Sequence, residues 1–466
     1  MANRMRLLIG FGSFALLLAV GTWTRNSSSV ADPQPRVDGQ DQLALLALNT
    51  LADQRQRTEF TLAAAGDLKW QKGNLHTHTH WSDGDDYLEM AALWYKERGY
   101  QFLGITDHNT IDQSERWVDI EKSRGGRKAF EKLKAQYPDN WVEERTTAGV
   151  AETRLHTFTE VAKLHEVEGE YLMIRGEEIS DRFEGKPVHM NASNVQEQLP
   201  PLGGESVYDT MQNNVNAVIA QRERTRQPMI IHLNHPNFHY AITAEDLMRV
   251  RGENFFEVYN GHPSVFNRGD NTHVSTERLW DIINAFRLTQ LDLPLMYGLA
   301  TDDGHSYHDI PSRASNPGRG WVMVLTKTLD PQAIILALEA GEFYSSSGVT
   351  LDKVAVDEKG VSVEVRPEEG AEYRIEFVGT LKGFNTDSQP VVDDQGKPVD
   401  TTRKYSDEIG QVLKAVEGKS GTYEFQGNEL YVRARVISSK PHPNPSEPGE
   451  PEQAWTQPVI GPGLGE

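Results

Sequence analysis

Histidine alternates with threonine in Lys72-Gly-Asn-Leu-His-Thr-His-Thr-His-Trp-Ser-Asp-Gly84, and Gly104-Ile-Thr-Asp-His-Asn109 follows about one helix later. Read as a strand over 74–80, the period of two puts His76, His78 and His80 on one face and Leu75, Thr77 and Thr79 on the other. Imidazoles two residues apart on a strand come close enough to chelate one ion. The turn residues Ser82-Asp-Gly84 then set the Asp83 carboxylate just beyond the strand end. Without a cysteine in the chain, thiolate zinc sites, cysteine nucleophiles and disulfides are excluded together. Soft-metal chemistry must therefore use histidine.

The elements that must position these side chains show as alternating apolar runs and helical patterns. Buried strands are expected over 102–106, 171–174, 229–233, 255–259, 295–300 and 321–325, with helices over 87–98, 152–166, 207–222, 276–288 and 331–340. Such alternation predicts an α/β barrel or an open parallel sheet. Metal-ligand residue types fall where these strands end. Asp107-His108 closes the first, Glu177-Glu178 the second, His235-Pro236 the third, and Asp302-Asp303-Gly304-His305 the fifth. In parallel α/β architectures those ends converge on one face, where sites are assembled. His189, in Val188-His-Met-Asn191, lies on a short strand-like piece after Glu178 and joins them.

Taken in order, His76-Thr-His78 with Ser82-Asp83-Gly84, Thr106-Asp-His108, Gly176-Glu-Glu-Ile-Ser180, Asn234-His-Pro236 and Asp303-Gly-His305 resemble the motifs of the PHP (polymerase and histidinol phosphatase) metallohydrolases. The resemblance covers about residues 72–349. Thr301-Asp-Asp-Gly-His305 with the downstream Leu336-Ala-Leu-Glu-Ala-Gly-Glu-Phe-Tyr-Ser345 is most similar to the CehA/McbA branch, whose named members hydrolyse an aryl carbamate. The family implies a distorted (β/α)7 barrel, here followed by a small antiparallel β domain, and two or three divalent ions. On this resemblance one ion takes His76, His78 and Asp303, with Glu178 bridging to its neighbour. A second takes Asp83, His108 and His305, and a third Glu178, His189 and His235. The motif spacings Gly-x-Glu and Asp-x-His select Glu178 over Glu177 and Asp303 over Asp302. Six imidazoles and three carboxylates suit zinc, manganese or iron better than calcium or magnesium, which prefer all-oxygen sets.

Clustered divalent ions lower the pKa of a bridging water toward about 7 and neutralise charge on the attacked group, so the expected nucleophile is hydroxide, with Glu178 and Asp303 as central catalytic ligands. His262, in Tyr259-Asn-Gly-His-Pro263, is the candidate proton donor to the leaving group. His80, Arg182 and Lys186 are candidate substrate contacts. Neither a serine elbow, a Walker loop nor a dinucleotide fingerprint stands in a suitable strand-to-helix context. The expected activity is hydrolysis of a small phosphate ester. Its alternatives are hydrolysis of a carbamate, ester or amide, and a non-catalytic exported metal-binding or adhesion module.

At 466 residues, with 38% hydrophobic and 25% charged residues, the chain has the composition of an ordered protein with a large core. The net charge of −21 repels phosphate backbones, so a small-molecule substrate is expected and nucleic acid is not. The basic start Met1-Ala-Asn-Arg-Met-Arg6, the apolar run 7–20 and Ser29-Val-Ala31 resemble a bacterial export signal, which places the protein in the periplasm or outside the cell. An uncleaved run would instead anchor it to the membrane, facing outward. The expected organisation is a signal or anchor at 1–31, a linker and helix at 32–70, the metallohydrolase barrel at 71–349, a small β domain at 350–440 and a Pro-rich tail at 441–466. The polar insert at 113–147 is expected to be a helical excursion at the rim.

Overall fold

The computed structural model describes residues 68–464. The expected export segment at 1–31 and the expected helix within 42–65 lie outside the described residues. Among the described residues, no helix is long and apolar enough to cross a membrane.

The chain opens with β1 (Lys69–Asn74), helix α1 (Leu88–Glu97) and β2 (Phe102–Ile105), then leaves on an excursion of β3 (Arg116–Asp119), α2 (Gly126–Gln136), β4 (Glu144–Thr147) and β5 (Val150–Leu155). Helix α3 (Phe158–His165) returns it to β6 (Leu172–Phe183) and β7 (Lys186–Ser193). Next come α4 (Val207–Thr225), β8 (Ile230–Leu233), α5 (Ala244–Leu247), β9 (Phe255–Asn260), α6 (Thr276–Phe286) and β10 (Tyr297–Thr301). β11 (Trp321–Thr326), α7 (Pro331–Glu339) and β12 (Phe343–Ser346) follow.

All of these strands except β3, β4 and β5 build one large mixed sheet in the order β10-β9-β8-β7-β6-β2-β1-β11-β12. β1, β2 and β6 pair in parallel, as do β8, β9 and β10, while β7 runs back antiparallel between β6 and β8. Both parallel groups therefore point the same way, and their C-terminal ends share one rim. Leu75, Ile174, Met190, Leu233, Phe256 and Leu299 are fully buried beneath it.

The expected (β/α)7 barrel is not what this sheet forms, because no ladder joins β10 to β11 among the described residues. Backbone groups on an unpaired buried edge still need partners. At β10 the Gly298 N–H donates to Gln457 Oε1 (2.9 Å), and the Gly298 carbonyl accepts from Gln457 Nε2 (3.0 Å) and Ser345 Oγ (2.7 Å). One side-chain amide thus supplies what a neighbouring strand's peptide would.

Beyond Gly348 the strands are β13 (Leu351–Asp357), β14 (Gly360–Val365), β15 (Tyr373–Leu381), β16 (Ser388–Gln389), β17 (Lys404–Tyr405), β18 (Gln411–Glu417), β19 (Ser420–Glu424), β20 (Glu429–Pro441), β21 (Pro451–Thr456) and β22 (Val459–Ile460). β13, β14 and β19 form a sheet of their own. β21, β20, β15 and β18 instead prolong the central sheet from β12, so part of the region expected as a separate β domain is continuous with it. The Pro-rich stretch at 441–466 carries β21, held by Trp455, whose ring stacks on Tyr259 at 5.8 Å.

Two local expectations need correction. Residues 152–166 are not one helix: β5 runs to Leu155 and α3 begins only at Phe158, where Thr157 and Glu160 form a reciprocal capping box. The excursion is a three-stranded sheet, β3-β5-β4, with a single helix, rather than a helical segment. Its strands are polar because cross-strand pairs such as Arg145–Glu152 (2.7 Å) and Arg154–Glu143 (2.7 Å) stand where apolar alternation was sought.

Candidate metal centre

The strand expected over 74–80 ends at Asn74. Asn74 Oδ1 accepts the His76 N–H (2.8 Å), and this Asx turn takes the chain out of the ladder. Thr77 then bridges to Gly304, with the His78 N–H on the Gly304 carbonyl (3.0 Å). The next turn is pinned by Asp107, whose carboxylate accepts from the Thr79 N–H and hydroxyl (both 2.7 Å) and from the Ser82 hydroxyl. Gly84 is required there, since a Cβ would lie 2.5 Å from the His78 carbonyl oxygen. The period of two therefore holds for His76 and His78 and fails at His80, which packs on Tyr87 with ring centres 4.5 Å apart, away from the other imidazoles.

Glu178 sits in β6 with its side chain fully buried. Its Oε1 is 3.0 Å from His189 Nδ1, 3.5 Å from His235 Nε2 and 3.7 Å from His76 Nε2, while Oε2 is 2.7 Å from His108 Nδ1 and 3.3 Å from His78 Nε2. Asp303 Oδ1 faces His76 (3.3 Å), His78 (3.2 Å) and His305 Nδ1 (3.5 Å). Asp83 Oδ1 faces His305 Nε2 (3.2 Å) and His108 Nε2 (3.4 Å). Asp303 (φ +48°) and His235 (φ +23°) hold left-handed backbone that side chains rarely adopt, a strain characteristic of functional positions.

All nine expected donors thus lie in one continuous cluster. Four overlapping groups within it could hold an ion: His78, Asp83, His108 and His305; His76, His78 and Glu178; His76, His235 and Asp303; His108, Glu178 and His189. The partition differs from that implied by the family, since His78 also faces Asp83's group and His235 also faces Asp303. Donors around a four-coordinate centre with bonds of about 2.1 Å lie roughly 3.4 Å apart, and the facing atoms here stand between 2.7 and 3.7 Å apart. His76 Nε2 and His78 Nε2 stand 3.1 Å apart, near enough for one ion to take both. Burial alone would raise the Glu178 and Asp303 carboxyls. The imidazoles of His108 and His189 around the first, and of His76 and His78 around the second, instead hold both well below the usual range. Burial, with His305 and His108 beside it, takes His78 down to about 3, the neutral form a ligand needs. For His76, His108 and His305, by contrast, burial is outweighed by the surrounding carboxylates, which raise the rings, so these would have to release a proton to bind an ion. The residues present therefore fit divalent ions.

The alternative carboxylates turn away. Glu177 Oε1 accepts the Leu199 N–H (2.6 Å), and burial pushes this carboxyl up to about 7. Asp302 accepts from Arg319 N (2.6 Å), Gly320 N (2.8 Å) and Tyr95 OH (2.9 Å), tying the end of β10 to the start of β11. His262 stands with its ring centre 5.6 Å from that of His305, and burial holds it down at about 4. Arg182 is exposed on the β6–β7 hairpin, on Glu178's face but four residues, roughly 13 Å, further along the strand. Lys186 is on the opposite face from His189 and pairs with Asp400 (2.6 Å). His80 and Lys186 are therefore not in the cluster. Phe238 does border it, 5.1 Å from the ring of His235 and 6.5 Å from that of His189.

Sequence reasoning missed Glu257. Fully buried in β9, it holds His76 Nδ1 at 2.6 Å through Oε1 and accepts the His235 N–H (2.7 Å) through Oε2. Thr301 and Asn260 also donate to it, each at 2.7 Å. A carboxylate on the far nitrogen of a ligand imidazole fixes its tautomer and orientation. The available signal was a lone acid inside the apolar run Phe255-Phe-Glu-Val-Tyr259.

No protein-family model matches the chain. DNA polymerase/3'-5' exonuclease PolX of Bacillus subtilis (strain 168) is 32% identical over 66 residues, 14% of this chain, and the chain spans 12% of that relative's length. Among solved structures, a two-domain protein from Bacteroides vulgatus ATCC 8482, described as containing a predicted PHP-like metal-dependent phosphoesterase, is 14% identical with a TM-score of 0.36, over 86% of this chain and 98% of that one. A structure from Bifidobacterium adolescentis ATCC 15703, named provisionally as a metal-dependent phosphoesterase, is 14% identical with a TM-score of 0.26, over 52% of this chain and 90% of that one. At these scores neither likeness assigns the fold.

Proposed function

We propose that this chain is a PHP-type metal-dependent hydrolase acting on a small phosphate ester. The observation that carries the reading is Glu178, a buried carboxylate whose two oxygens meet five imidazoles. Divalent ions held among such donors acidify water and neutralise charge on the attacked group. The chain's own residues supply the frame. Glu178 would join two ions when they are bound, Asp303 joins the His76–His78 side to His305, and Glu257 fixes the His76 ring. His262 lies beside His305, but burial holds it down at about 4, so its neutral ring suits a hydrogen bond to the leaving group rather than the proton donation expected of it.

A second reading, hydrolysis of a carbamate or aryl ester, draws on one specific feature. Phe238, half-buried beside His189 and His235, offers an aromatic wall suited to an apolar group on the substrate. Both readings are tested together by loading the protein with zinc, manganese or iron, counting ions by elemental analysis, and screening phosphomonoesters, phosphodiesters, aryl esters and carbamates. Two or three ions per chain and turnover of a phosphate ester are expected. One ion or none overturns the multinuclear centre, and turnover of carbamates alone replaces the first reading with the second.

A further inference from the structure

The cluster is closed on most sides. The side chains of Glu178, Asp303 and His305 are 1%, 7% and 8% exposed, whereas Asp83 is 52%, His108 29% and His189 19% exposed, so the cluster opens widest at Asp83 and the neighbouring His108. There the excursion delivers a cation. Arg124, itself half-exposed, donates from Nη1 to the Asp83 carbonyl and lies 3.3 Å from Asp83 Oδ2, while Oδ1 faces His305 and His108.

Arg124 takes Asp83 Oδ2 and leaves Oδ1 to the imidazoles, so it can support a ligating carboxylate, but its positive charge beside the cluster also opposes an incoming dication. The loop is moreover already held by Arg116 on the Trp81 carbonyl, Lys132 on Asp86, and Trp81 Nε1 on the His156 carbonyl (2.9 Å). The cation becomes favourable once an anion joins it. Its planar fork matches a phosphate edge, and its Nε and Nη2 have no hydrogen bond to a described residue. A chain of net charge −21 otherwise repels an anionic substrate, so a local cation at the open side has a use there.

We infer that Arg124 is a substrate contact that takes non-bridging oxygens of a phosphoryl group at the open side of the cluster. The inference rests on the phosphoesterase reading above. It is tested with inorganic phosphate, titrated calorimetrically into the metal-loaded full chain, with metal content measured on the same samples. Arg124→Ala is expected to weaken phosphate roughly ten- to a hundredfold, as for loss of a charged hydrogen bond, with metal content unchanged. Arg124→Lys should recover part of that loss. Arg116→Ala, which loosens the same loop through a backbone carbonyl, should leave phosphate affinity within severalfold at equal metal content. Unchanged phosphate affinity in Arg124→Ala, or a fall that only accompanies metal loss, overturns the inference, as does metal-loaded wild type that binds no phosphate. Wild type that takes up no ion overturns the proposed function itself, and elemental analysis separates that result from the others.

Discussion

Glu178 and its neighbour Glu177 share one strand and face opposite ways, which makes them a matched pair for testing the centre. In Glu178→Gln the charge among five imidazoles becomes a neutral amide, and the ions it would join are held more weakly. Turnover should fall on the order of a hundredfold or more, in kcat rather than KM, with reduced metal content. Glu177→Gln keeps an acceptor for the Leu199 N–H, so rates and metal content should stay near wild type. If Glu177→Gln is the inactive one, the strand's register relative to the site is misread; if both are active, the bridging role fails. The donors that could be read in the sequence are those where a histidine or acid follows an apolar run, although Glu178 and His189 lie within β6 and β7 rather than at the strand ends expected for them. Glu257 was hidden because its role, holding the His76 ring, leaves no motif, and His80 misled because the Asx turn at Asn74 ends the strand whose period included it.

The apolar strands that carry or lead to the donors, and the helices between them, were readable as elements, since burial on both faces leaves continuous hydrophobic runs. The excursion was not, because its strands are stabilised by cross-strand charge, and the start of α3 after it is set by a cap rather than by periodicity. That boundary has a measurable strength. Thr157→Ala removes the acceptor for the Glu160 N–H and should cost about 1 kcal/mol in urea unfolding. Glu160 adds a pH signature. Hydrogen bonds from Arg154, and from Thr157, outweigh burial and hold its carboxyl down at about 2. A carboxyl depressed in the folded state stabilises it above the unfolded pKa of about 4.5, and this is lost as pH falls through about 2. The stability difference between wild type and Glu160→Gln should therefore shrink steadily from pH 5 toward pH 2. A difference that stays constant over that window would show that the Arg154–Glu160 charge contributes nothing.

For the molecule as a whole, alternation of strands and helices indicated parallel α/β order but could not show how the sheet would end. Closure depends on long-range partners, and the partner at β10 lies some 159 residues away in sequence. Gln457 donates and accepts at Gly298, Ser345 adds a hydroxyl, and Asp302 ties the ends of β10 and β11 together. The C-terminal strands are joined to the same body by charge as well. Arg433 of β20 is fully buried, 2.8 Å from Asp281 and 3.2 Å from Glu277, both on α6. The open edge is thus sealed by side chains, Gln457 and Ser345, rather than by a ladder. Gln457→Ala leaves the buried Gly298 N–H without its acceptor and removes one of two donors to its carbonyl. Leaving a buried backbone donor unsatisfied costs about 1–3 kcal/mol, so the urea midpoint should fall accordingly, with the slope unchanged. Metal content should persist, because the donors nearest this seam, Asp303 and His305, follow β10 at its far end. Loss of ions at wild-type stability would mean that Gln457 acts on the site rather than on the seam, and no change in midpoint would mean that water or a shifted strand satisfies the edge without it.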